Sequence, residues 1–120
     1  TVKQQRRRRA TELASGRMMA DVPTADVVIV NPTHFAVALK WSRKPGAAPI
    51  CVAKGMDHIA LAIRDLARDN GVPVLSDAPT ARALHATTEI GQEIDPMHYA
   101  AVAVAIRFAE DMRRKARSFG

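Results

Sequence analysis

Asn31-Pro32-Thr33-His34 is the segment with the most chemical potential, and it directly follows the β-branched run Val27-Val28-Ile29-Val30. An asparagine side-chain nitrogen can attack its own main-chain carbonyl, close a succinimide ring and expel the residue that follows. The usual competitor is deamidation, in which the next backbone nitrogen attacks the side chain. Pro32 has no N–H, so that route is closed at Asn31. The remaining attack needs a turn that brings nitrogen and carbonyl together, and such proximity accelerates reactions strongly. His34 can assist a proton transfer if the turn folds it back. Asn-Pro is also ordinary turn punctuation, so these residues read either as a self-cleavage site or as a plain turn. Proline in the middle of Asn31-Pro32-Thr33 excludes glycosylation there.

The standard inventories of catalytic and ligand-binding motifs are otherwise empty. The chain has no G-x-S-x-G elbow, no G-x-G-x-x-G and no G-x-x-x-x-G-K-[ST] loop. His34, His58, His85 and His98 form no H-x-x-x-H pair, and Cys51 is the lone cysteine. No metal site, cofactor or small-molecule ligand is therefore expected. Asp57 and Asp77 stand where helix N-caps belong, and Cys51 reads as a small core residue. No turnover enzyme is expected; the one reaction these residues offer is a single intramolecular cleavage at Asn31-Pro32, with the plain turn as the alternative.

The elements that must position this segment follow from periodicity. Residues 1–20 are rich in Gln, Arg, Ala, Glu, Leu and Met and read as a helical arm that Asp21-Val22-Pro23 ends. Val27–Val30 predicts a buried strand, and residues 34–41 a second, with Phe35, Val37 and Leu39 alternating with Ala36, Ala38 and Lys40. Ser42–Pro49 is a loop, and Ile50–Ala53 a third strand. Ile59, Ala60, Ile63, Leu66 and Ala67 recur at helical spacing, with Asp57 as expected N-cap and Asn70-Gly71 as the stop. Val72–Leu75 predicts a short strand, Asp77 caps a helix to about Ala86, and Asp95-Pro96 starts a long final helix. Tyr99, Val102, Ala103 and Ile106 share one face of that helix. Strands alternating with helices predict a small α/β sandwich: a mixed sheet of four to five strands, about four helices and the N-terminal arm. The expected divisions are a basic arm at 1–22, a compact domain at 23–117 and a tail at 118–120.

Composition narrows the classes. With 48% hydrophobic and 25% charged residues in 120, the chain is an ordinary single globular domain rather than a disordered one. The net charge of +6 is uneven. Residues 1–20 carry six basic groups against Glu12, residues 107–120 five against two acids, and the middle is slightly acidic. The run Arg6–Arg9 suits nucleic acid or the cytoplasmic side of a membrane. Aromatic residues at 4% leave little on which to stack bases, so a basic nucleic-acid-binding module is the rival reading rather than the first.

The stretch Val28-Ile29-Val30-Asn31-Pro32-Thr33-His34-Phe35-Ala36-Val37-Ala38-Leu39 resembles the signature of the FlhB/YscU family, the switch proteins of flagellar and virulence type III export. The likeness continues through Val52-Ala53-Lys54-Gly55, Ile63-Arg64, Val72-Pro73, Ala81-Arg82-Ala83-Leu84 and Glu89-Ile90-Gly91, over roughly residues 20–107. The residues Ala36–Trp41 and the basic C-terminal tail look closer to the flagellar branch, with a virulence-system homologue as the alternative. The resemblance implies self-cleavage between Asn31 and Pro32, with Thr33 and His34 completing the motif and the pieces staying together. It implies a switch of export specificity from rod and hook to filament subunits. It also implies a membrane region ahead of this chain, hence a place at the cytoplasmic face of the inner membrane. The implied partners are export-gate membrane proteins, a hook-length control protein and the export substrates. Ala48 and Pro49, ending a loop, and Ala103 and Ile106, on a small-apolar helix face, match the family's substrate-contact patch. Together they are expected to leave a shallow groove for a short hydrophobic segment.

Overall fold

The computed structural model describes residues 16–119. The first fifteen residues of the expected arm lie outside them; residues 16–21 are helical (α1) and run into a 3-10 turn at Val22–Thr24. Four strands form one sheet: β1 Val27–Asn31, β2 Phe35–Lys40, β3 Ile50–Met56 and β4 Val74–Ser76. Their order is β3-β2-β1-β4, with β1–β2 and β2–β3 antiparallel and β1–β4 parallel. The helices are α2 Asp57–Asp69, α3 Ala78–Thr87 and α4 Tyr99–Phe119, the last entered through a 3-10 turn at Pro96–His98. The expected mixed-sheet α/β sandwich is therefore the fold.

The sheet is covered on both faces, which explains the unbroken apolar run of β1. Val27 and Ile29 join Val37 and Leu39 against Ala81 and Leu84 of α3 and Val102, Ala105, Ile106 and Ala109 of α4. Val28 and Val30 join Ala36, Ala38 and Ala53 against Ala60, Ile63 and Ala67 of α2, with Met18 and Val22 alongside. The alternation read in β2 thus sorts large side chains toward α3 and α4 and alanines toward α2. Cys51 is fully buried, as its apolar setting predicts, and desolvation pushes its thiol up to about 11.

Boundaries differ where tertiary pairing overrides local preference. β3 does not stop at Ala53: Lys54, Gly55 and Met56 pair with Val37, Ala36 and Phe35. Gly55 fits because a Cβ there would lie 2.3 Å from Ile59 Cγ2. Asp57 is consequently not an N-cap. Met56 holds that position, and no side chain caps the helix. Asp77 does cap α3, its carboxylate accepting from Thr80 N at 3.3 Å, and Asp95 accepts from Met97 N at 2.9 Å. β4 begins only after Pro73, whose carbonyl oxygen accepts from Val28 N at 3.0 Å. α4 continues through the expected tail to Phe119.

Candidate functional site

β1 and β2 are joined by Pro32, Thr33 and His34, all exposed, and Asn31 pairs with Phe35 across the turn. Pro32 suits the first corner of such a turn because its φ is already set. The His34 backbone N–H donates to the Asn31 carbonyl oxygen at 2.8 Å. That oxygen belongs to the carbonyl that an Asn31 side-chain attack would hit. The bond both closes the turn and polarises the carbon, as oxyanion donors do.

Three strands point the same way and end at this edge. β3 and β4 run parallel in direction to β1, so α2 and α3, which follow them at once, start beside the turn. Asp57 N donates to His34 O at 3.0 Å and Asp77 N to Val30 O at 2.9 Å, which ties both helix starts to the hairpin. Helix N-termini carry a positive end, which favours charge developing on a nearby oxygen. Asp57 takes φ 50°, a left-handed conformation uncommon for a non-glycine residue. Its Oδ1 lies 3.9 Å from His34 Nδ1, beyond hydrogen-bond range, with both side chains mostly exposed. The sequence predicts a cap at Asp57; only the β2–β3 register places it opposite His34. On the other side of the turn, Phe35 packs against His85 with the rings tilted by 52° and their centroids 5.0 Å apart. Burial, helped by Lys54, lowers the His85 pKa.

A second feature lies toward the opposite end of the sheet. A groove of about 650 Å³ runs between residues 46–49 and α4, and it collects Ala48, Pro49, Ala103 and Ile106. Ala48 and Ile106 are buried in its floor, Pro49 is half-buried and Ala103 is exposed. Ile94 and Val102 deepen the floor, and exposed Tyr99 and Val104 extend the rim. Glu93 holds the loop from one side by accepting from Ala48 N at 2.8 Å, and Ile94 N donates to Pro49 O at 2.9 Å. The sequence offered no sign of Trp41, Ile94 or Val104 in this wall, since all three join it only through folding.

Among the described residues no cluster of His, Cys, Asp and Glu could hold a metal ion, and no helix is long and apolar enough to cross a membrane.

Residues 1–109 match the model of the FlhB, HrpN, YscU and SpaS family. The flagellar biosynthetic protein FlhB of Aquifex aeolicus is 45% identical over 114 residues, covering 95% of this chain and 33% of the relative. Its Escherichia coli counterpart is 48% identical over 101 residues, covering 84% of this chain and 26% of the relative. The chain thus spans a third or less of these curated relatives. Among solved structures, the cytoplasmic domain of FlhB from Shewanella putrefaciens superposes with a TM-score of 0.81 at 40% identity, covering 88% of this chain and 81% of that one. An EscU C-terminal domain carrying an Asn-to-Asp substitution superposes with a TM-score of 0.72 at 32% identity, covering 77% of this chain and 98% of that one.

Proposed function

The chain belongs to the FlhB, HrpN, YscU and SpaS family, and from that premise we propose that it is the cytoplasmic part of a flagellar export-apparatus protein. In this reading it cuts itself once at Asn31-Pro32 and takes part in switching export from rod and hook to filament subunits. The full protein sits at the cytoplasmic face of the inner membrane, where its partners are export-gate proteins, a hook-length control protein and the export substrates. The flagellar branch is favoured because the curated relatives above are flagellar and closer in identity than EscU.

The observation that carries the cleavage reading is the 2.8 Å bond from His34 N–H to the Asn31 carbonyl oxygen in an exposed turn. Asn31 Nδ2 attacks the Asn31 carbonyl carbon, giving a five-membered ring while negative charge gathers on the oxygen facing that donor. The carbon–nitrogen bond to Pro32 then breaks. The proton lost from Nδ2 is balanced by one gained at the Pro32 nitrogen, which becomes a new N-terminus. His34 assists this transfer as a proton acceptor and donor. Water later opens the succinimide. The competing deamidation is closed, because Pro32 has no N–H.

The groove supplies the substrate side: its apolar floor and open rim suit a short hydrophobic segment of an export substrate. A denaturing gel tests the cleavage. The parent should give pieces of 31 and 89 residues, and Asn31→Ala a single chain. A fragment beginning at Pro32 from the alanine variant would refute the ring-closure mechanism. Ala103→Asp tests the groove: substrate binding should weaken, and undiminished binding and export would remove the groove from the reading.

A further inference from the structure

Asp26 precedes β1 by one residue and lies upstream of the Asn31–Pro32 bond. Its side chain is only 16% exposed, and both oxygens are engaged. Oδ2 accepts from Trp41 N at 2.7 Å, and Oδ1 accepts from Arg43 Nη1 at 3.0 Å. Arg43 Nη2 continues to Glu110 Oε1 on α4 at 2.9 Å. The same guanidinium lies over the Trp41 ring, 5.1 Å from its centroid, within cation–π range. The ring is pinned in turn by Trp41 Nε1, which donates to Ala47 O at 3.0 Å. Arg43 makes these contacts from φ 63°, a conformation that persists only where its surroundings hold it. α4 also reaches back on its own: Arg113 donates to the carbonyl oxygens of Asp26 and Ala25 at 2.9 and 3.2 Å.

Trp41, Ala47 and Glu110 all line the groove, whereas Asp26 does not. Arg43, which also donates to Trp41 O at 3.2 Å, bridges the two sides of the groove, and the carboxylate that holds both Arg43 and Trp41 N lies beyond the lining and on the other piece of a cut chain. The bond from Trp41 N is charge-assisted and shielded, and so the stronger link. The Arg43–Glu110 pair is nearly half exposed on both sides and so the weaker one.

We infer that Asp26 is a positioning residue for the groove: from upstream of the cut, its carboxylate fixes the Trp41–Ala47 wall against α4. The groove then keeps its shape only while the upstream piece stays in place. A C-terminal piece that lost its partner would lose the groove with it, so cleavage without separation preserves binding. The functional meaning rests on the groove reading proposed above, whereas the positioning itself can be measured without any ligand.

The test uses the full chain, comparing Asp26→Ala with the parent. Trp41 is the sole tryptophan, so acrylamide quenching reports on this wall alone. Asp26→Ala should raise that quenching and speed amide exchange at Trp41 by about tenfold or more, the loss expected for a hydrogen bond to a charged group. Exchange within the β1–β2 pairing should stay at the parental rate; general loosening of the fold would raise both and overturn the inference. Unchanged quenching and exchange at Trp41 would also overturn it. Asp26→Asn serves if the alanine variant fails to fold, because it keeps one oxygen for Trp41 N while releasing Arg43. It should raise quenching by a smaller amount, and parental quenching would count against the inference. The second measurement is binding of a fluorescein-labelled N-terminal peptide of a hook subunit, with Ala103→Asp as the groove's own control. Weaker binding in both variants supports both readings. If Ala103→Asp alone weakens binding, Asp26 does not position the groove. If Ala103→Asp binds like the parent, the groove reading falls and quenching and exchange still decide the role of Asp26.

Discussion

Ile29→Ala measures how firmly the upstream piece is held after a cut at Asn31-Pro32. β1 is a central strand, flanked by β2 on one side and β4 on the other. Ile29 pairs with Val37 and Leu75 and is fully buried in the core shared with α3 and α4. Val27 and Val28 are equally buried, and Val30 is 4% exposed. Burying four such side chains is worth roughly 6–12 kcal/mol, an upper estimate because a denatured chain already buries part of its surface. Truncating Ile29 leaves a cavity in the middle of that set and should cost about 2–5 kcal/mol. With a urea dependence of about 1.5 kcal/mol per molar, the release midpoint should fall by about 1.3–3.3 M. The assay is size-exclusion chromatography of the cleaved protein in stepped urea, with Trp41 fluorescence in parallel. Release makes two molecules from one, so tenfold dilution should lower the parental midpoint by about 0.9 M. The uncut Asn31→Ala chain should show no such dilution effect. Separation of the pieces in urea-free buffer, or a midpoint unmoved by Ile29→Ala, would refute the claim that β1 holds them together.

Three further outcomes follow from particular contacts. His34→Ala should slow cleavage without abolishing it, because the backbone N–H at the Asn31 oxygen survives the substitution; an unchanged rate in a pulse–chase assay would leave the imidazole no part in the reaction. Gly55→Ala should destabilise the fold by about 1–3 kcal/mol in thermal unfolding, since the new Cβ lies 2.3 Å from Ile59 Cγ2 and 2.8 Å from its Cβ. Burial lowers the His85 pKa, so the unfolded chain binds its proton first as pH falls. The resulting stability is present above the ordinary imidazole range and is lost on acidification. Unfolding midpoints measured from pH 7.5 to 5 should therefore fall more steeply in the parent than in His85→Gln, and equal slopes would contradict the assignment.

Much of the fold is legible because local and tertiary signals agree. Val27–Val30 is apolar on both faces, and both faces are covered. Asp77 caps α3, and Asn70-Gly71 ends α2, with Gly71 at φ 72°. The failures occur where partners distant in sequence decide. Lys54 and Gly55 have little strand preference, yet the edge of β2 continues past Ala53 and draws them into the ladder, because strand propensity is mostly a matter of neighbours. That extension moves the start of α2, turns Asp57 from an expected cap into a left-handed residue, and sets it opposite His34.

The two parts of the candidate site differ in legibility for the same reason. The proposed cleavage is covalent chemistry confined to neighbouring residues, so Asn31, Pro32, Thr33 and His34 are readable as a string. What the string omits is the polarity of the surroundings: the starts of α2 and α3 reach the turn only because β1, β3 and β4 share a direction. The groove is assembled from positions 41 to 110, and only the small residues Ala48, Pro49 and Ala103, with Ile106, suggest it in advance. Asp26 could not have been singled out, because an isolated Asp ahead of a strand is ordinary until Trp41 N and Arg43 are seen to converge on it. Its position has a structural consequence. The turn lies at one end of β1 and the Asp26 contacts at the other, so a break at Asn31-Pro32 leaves the contacts that hold the groove in place. In the proposed reading, chemistry at one end of the sheet is thereby separated from binding at the other, joined by a strand whose burial would keep both pieces in one fold.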